Sequence, residues 1–181
     1  LTSTHVTITS GNLAHNNELG SVYGGCNKSN VGTYGTDGTL AAGTGTTLVD
    51  INNGTIGNVY GGNNVSGKVG EATVNVNAGT ITNLFGGSNG DYTYTEGGDY
   101  PGLSSPTIAT TNVNVNGGKT TTAYAGGNNA TVSTFANITV NADNGSASDL
   151  HVTTLFGGNN KAEMSILPNI ELTKGYVGDV Y

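Results

Sequence analysis

The heptapeptide NVYGGNN at Asn58–Asn64 returns as NLFGGSN at Asn83–Asn89, TLFGGNN at Thr154–Asn160 and SVYGGCN at Ser21–Asn27. A fifth copy, TAYAGGNN at Thr122–Asn129, reads with one extra residue. Upstream of each lies an alternating segment. Val49-Asp-Ile51-Asn-Asn-Gly54-Thr-Ile56 aligns with Val74-Asn-Val76-Asn-Ala-Gly79-Thr-Ile81 and with Val113-Asn-Val115-Asn-Gly-Gly118-Lys-Thr120. Ile170-Glu-Leu172-Thr-Lys-Gly175-Tyr-Val177 obeys the same rule, ending at Val180-Tyr181. Two further copies, Val6 to Tyr23 and Ile138 to Phe156, carry an insertion after the turn. The aromatic positions 23, 60, 85, 124, 156 and 181 are separated by 37, 25, 39, 32 and 25 residues. A unit of about 25 residues with loops inserted at fixed places accounts for all six copies.

Each unit dictates its own local structure. Alternation of Val, Ile or Leu with Asn or Thr is the period of a strand with one buried face. Glycine at the sixth position marks a tight turn needing a positive φ. A second short strand ends on the aromatic, and the Gly-Gly pair makes a second corner. One such unit buries almost nothing alone. Stacked at about 4.8 Å, parallel strands pair with the turn above and below, and the apolar positions fill a continuous interior. The aromatic then stacks on its equivalent, and the asparagine runs as an amide ladder along the axis. The expected fold is all-β: a parallel β-solenoid of about six coils, a right-handed β-helix favoured by the unit length and bulky insertions. A β-sandwich is the alternative, but it does not demand a common register between copies. Residues 1–181 read as one segment, part of a longer repetitive protein or fibre. Its last coil is cut mid-repeat, so its ends are expected to stack on further coils of a parent chain or on copies of itself.

The pattern resembles the glycine-rich repeats of bacterial cell-surface and adhesin-like β-helices. That resemblance implies an extracellular, structural or adhesive role and no reaction.

Composition narrows the partners. Charged residues are 9% of the chain, the formal charge is −7, and none of the five basic residues is Arg. A surface that tracks phosphates is therefore not expected, which sets nucleic acid aside. No apolar run is long enough for a membrane-spanning helix. The single Cys26 sits in a slot aligned with Asn63, Ser88, Asn128 and Asn159 and is expected to be a tolerated small residue. His5, His15 and His151 follow no metal-ligand spacing, and His5 and His151, each beside a strand, read as surface histidines. A polysaccharide-cleaving β-helix needs paired acids or a basic residue beside bound Ca²⁺. The Lys residues lie outside any acid cluster, and Asp50 and Glu171 lie several coils apart, so no enzyme is expected.

The insertion Asn89–Gly102 is the one unusual segment. It holds Asp91, Glu96 and Asp99, candidate ligands for Ca²⁺, and Tyr92, Tyr94 and Tyr100, candidate contacts for a surface glycan. The plainer reading is that these tyrosines pin the loop to the solenoid wall. No other cofactor is implied. An ice-binding surface is a further alternative. Outward positions Thr7, Asp50, Asn75, Asn114, Thr139 and Glu171, each followed two residues on by Thr or Asn, would form a flat polar ladder that Asp50 and Glu171 interrupt.

Overall fold

A computed structural model describes residues 1–15 and 18–181, but nothing of the side chain of His15, so the reading of that side chain lies outside what is described. The chain is all-β, without a helix among the described residues. Twelve strands form two parallel sheets of six. The first sheet takes the alternating segments: β1 (Ser3–Ile8), β5 (Thr46–Ile51), β7 (Lys68–Val76), β9 (Thr107–Val115), β11 (Thr131–Asn141) and β13 (Asn169–Lys174), side by side in that order. The second takes the segments that end on the aromatic: β4 (Ser21–Tyr23), β6 (Thr55–Tyr60), β8 (Thr80–Phe85), β10 (Lys119–Tyr124), β12 (Val152–Phe156) and β14 (Val177–Val180). The chain alternates between sheets, so each strand meets its equivalent one turn away, as a parallel solenoid requires. A small hairpin, β2 (Ala14–His15) with β3 (Glu18–Leu19), is the insertion of the first turn.

Register follows the sequence repeat residue by residue. Val6 lies opposite Val49, Val49 opposite Val74, Val74 opposite Val113, Val113 opposite Ile138, and Ile138 opposite Ile170. The second sheet matches Val22, Val59, Leu84, Ala123, Leu155 and Val180 in the same way. Their side chains meet between the sheets, where Val49, Ile51, Ile56, Val59, Val74, Val76, Ile81 and Leu84 are fully buried. Thr47 Oγ1 donates across this core to the Gly61 carbonyl at 2.6 Å, and Thr111 Oγ1 to the Ala125 carbonyl at 2.7 Å, tying strand to corner.

Glycine is sterically required at most positions of both corners. The turn glycines Gly11, Gly54, Gly79, Gly118 and Gly175 have φ of 94°, 110°, 96°, 72° and 103°, the left-handed region that side chains disfavour. In the copy from Ile138 to Phe156, whose sixth position is Asp143, the positive φ falls on Asn144 at 70°. At the second corner, a Cβ on Gly24 would run into the Gly61 carbonyl, and one on Gly61 into the Gly86 carbonyl.

One alignment is corrected. The amide of Gly86 donates to the Tyr124 carbonyl and that of Ala125 to the Phe156 carbonyl, so Ala125 occupies the first-glycine slot. The fifth copy thus has no extra residue before its glycines. Gly127, not Asn128, is the counterpart of Cys26, because its amide takes the Asn159 Oδ1 as the Cys26 amide takes the Asn63 Oδ1. Asn128 instead joins the amide ladder described below.

Candidate functional site: ladders, an insertion cleft and the loop 89–102

Six aromatic rings form one column. Tyr23, Tyr60, Phe85, Tyr124, Phe156 and Tyr181 stack with centroids 5.0, 4.9, 4.9, 4.8 and 5.1 Å apart and planes within 17°. The spacing is the strand spacing, so parallel pairing sets the stack and the ring faces cover one another. Burial raises the phenol pKa of Tyr60, Tyr23 and Tyr124.

Beside this column runs a ladder of amides. Asn160 Nδ2 donates to Asn128 Oδ1, Asn128 to Asn89, Asn89 to Asn64 and Asn64 to Asn27, at 2.9, 2.9, 2.9 and 3.0 Å. The outer face of the first sheet carries three more. In one, Asn114 donates to Asn75 at 2.8 Å and Asn75 to Asp50 at 2.7 Å. In the next, Asn116 donates to Asn77 at 3.0 Å and Asn77 to Asn52 at 2.8 Å. In the third, Asn137 donates to Asn112 at 3.0 Å and Asn112 to Glu71 at 2.7 Å. In every one of these bonds the donor sits on the later turn. His5 Nε2 meets Asp50 Oδ2 at 2.7 Å. The Asn75 amide first, and His5 second, hold the Asp50 carboxyl below the usual carboxylate range against its partial desolvation.

The insertion 142–151 of the fifth turn overhangs the turn wall and encloses an open cleft of about 560 Å³ with Asn77, Asn116 and Lys119. Its charges are paired, Lys119 with Asp149 at 2.5 Å and Lys174 with Asp143 at 3.3 Å. His151 is not the surface histidine expected from sequence: it is 6% exposed. Its ring fills the space beside Gly145 and Gly175; an added Cβ would collide with it at Gly145 and press against it at Gly175. Its Nδ1 accepts the Tyr176 N–H at 3.3 Å, which leaves the proton on Nε2, facing the Asp143 carbonyl at 3.3 Å. The insertion folds back onto the next turn, and no local sequence signal announces that contact.

The loop 89–102 spends its unusual residues on itself and on the wall. Tyr92 Oη donates to Asn64 Oδ1 at 2.9 Å, and Tyr94 Oη to the Val65 carbonyl. Tyr100 packs edge-on against Tyr92 at 5.0 Å and lies under Lys28 Nζ at 4.3 Å. Burial raises the Tyr94 phenol pKa. The candidate calcium ligands are not brought together. Asp91 pairs with Lys161 at 2.5 Å, Asp99 accepts the Thr93 N–H at 2.9 Å, and Glu96 points to solvent. Among the described residues, no three His, Cys, Asp or Glu side chains are grouped to hold a metal ion. Cys26 is half-buried and free.

No protein-family model matches the chain, and neither a curated protein nor a solved structure does.

Proposed function

We propose that this chain is a structural or adhesive segment of an extracellular surface protein, wound as a right-handed β-helix of six coils of about 25 residues. One observation carries the reading: each residue type that repeats is used in stacking. The branched residues fill the interior, the aromatics form one unbroken column, and the asparagines bond from turn to turn. Such a body resists unfolding and proteolysis through neighbour contacts repeated along its axis, which suits a stalk or a display scaffold better than a reaction vessel. Shaving intact cells with protease and mapping the released peptides tests it; a chain found only inside the cell overturns it.

The same reading includes growth along the axis. Among the described residues, β1, β4, β13 and β14 each pair on one side only. Unpaired parallel edges are templates for another chain, here further coils or a second copy. Concentration-dependent oligomers are expected in sedimentation velocity, with a constant monomer as the contrary result.

A further inference from the structure

The outer face of the first sheet is an exposed, ordered surface with unspent hydrogen-bonding capacity, and it lies away from the loop expected to bind a glycan. Three columns of short polar side chains run along it in register: Asp50–Asn75–Asn114, Asn52–Asn77–Asn116 and Thr73–Asn112–Asn137. Rows repeat at about 4.8 Å along the axis, and residues two apart on a strand lie roughly 6.7 Å apart across it. A primary amide has two N–H donors and two acceptor lone pairs. A laddered Asn such as Asn75 or Asn77 spends one of each on its axial neighbours. One N–H and one lone pair per rung remain for a partner, and Asn52, Asn77 and Asn116 are exposed. The ladder already fixes these side chains, so a ligand does not bear the cost of ordering them.

We infer that this face binds an uncharged, polyhydroxylated polymer: a neutral polysaccharide lying flat across the strands. This rests on the adhesive reading above and names its ligand class. The complementarity suits hydroxyls. Each rung offers both a donor and an acceptor, and a hydroxyl group answers both. A phosphate- or carboxylate-bearing partner supplies acceptors and meets Asp50, Glu71 and Glu171, while His5 is paired with Asp50 and Lys174, at the far end of the second column, with Asp143. An ice lattice demands a strict repeat, whereas one column here changes from Thr7 to Asp50, Asn75, Asn114, Thr139 and Glu171. A polymer tolerates such variation. The tyrosines of the 89–102 loop offer less to a ligand, because the hydroxyls of Tyr92 and Tyr94 bond to the wall and the ring of Tyr100 packs against Tyr92.

The test is depletion of the chain from solution by insoluble cellulose, chitin and starch, with an acidic polysaccharide as the contrast. Retention on at least one neutral polymer is expected, unchanged between roughly 0.1 and 1 M salt because no ion pairs are involved. Asn52→Ala with Asn77→Ala and Asn116→Ala should lower the retained fraction at least tenfold. Thr73→Lys, which leaves every ladder bond in place but projects from the face, should do the same with an unchanged melting curve. Tyr92→Phe with Tyr100→Phe should have no effect. No retention on any neutral polymer, retention by the acidic one alone, or loss through the loop variants and not the face variants would overturn the inference. So would thermal hysteresis without polymer binding, which would indicate ice. Retention by a chain that protease shaving places inside the cell would keep this inference and remove the surface role.

Discussion

The turn built from β7 and β8 and the turn built from β13 and β14 are written in the same code and end in different states. In the first, Val74, Val76, Ile81 and Leu84 are all fully buried. In the second, the equivalent Leu172 and Val180 are each 53% exposed, and Ile170 and Val177 are half-buried. Nothing in the local pattern distinguishes them. Strands β7 and β8 have a neighbour on both sides, β13 and β14 on one. Burial in a stacked array is therefore conferred by the adjoining turns, and the alternating pattern only makes a segment eligible for it.

That contrast is most open to attack in the interior. Val76→Asp places an unpaired charge among buried residues and should cost several kcal/mol, abolishing the β signal in circular dichroism at temperatures where the parent is folded. Leu172→Asp, at the same repeat position in the last turn, should leave the melting curve of the rest nearly in place. Equal loss in both would mean that the molecule melts as one unit.

The outer ladder gives the next effect. From sequence alone Asn75→Asp reads as a mild, outward change. The structure gives the change a larger expected cost, because Asn75 donates to Asp50 and accepts from Asn114. An aspartate there removes the donor and sets two carboxylates side by side, costing about 1–3 kcal/mol near neutral pH. Denaturant titrations should show the loss shrinking as the pH falls through about 4, where the carboxylates take up protons. In the parent chain the depressed Asp50 carboxyl contributes stability above its unfolded pKa. That contribution is lost as the pH falls through the folded value, and Asp50→Asn should flatten this acid limb.

A smaller effect separates two glycines of one slot. A Cβ on Gly62 would collide with the Ser88 hydroxyl, which accepts the Asn63 N–H at 2.9 Å, whereas one on Gly158 would meet nothing within 4 Å. Gly62→Ala should cost about 1–2 kcal/mol and Gly158→Ala close to nothing in chemical denaturation. Smallest, and opposite in sign, is Thr120→Val. Thr120 is 2% exposed in the column of Ile56, Ile81 and Val152, and its hydroxyl has no hydrogen-bond partner among the described residues. Valine keeps the shape and removes the orphan, so the midpoint should rise by about 1 kcal/mol equivalent.

What could be read in advance was whatever repeats. Period-two alternation fixed which of Asn75 and Val76 faces inward, and the spacing of the aromatics placed Tyr60 on Phe85. The fifth copy misled because TAYAGGNN holds two glycines, and only the backbone pairing shows that Ala125 stands in for the first. His151 was illegible for a different reason: its burial depends on the path of a ten-residue insertion that occurs once. The acids and tyrosines of the loop drew notice by composition, but composition does not say whether Tyr92 faces a ligand or Asn64.

The one-way sense of the amide ladders has a consequence for motion. An asparagine inside a column that turned its amide over would present oxygen to oxygen on one side and nitrogen to nitrogen on the other, so it can reverse only if the whole column reverses with it. Each column is thus a two-state domino row. Asp50 and Glu71, which can only accept, pin the direction at the early end of their columns. The column from Asn27 to Asn160 has no carboxylate and is held instead by the hydroxyls of Tyr92 on Asn64 and Tyr124 on Asn160. In that column a side chain touched at one end is felt at the other, four turns away, without any change in the backbone.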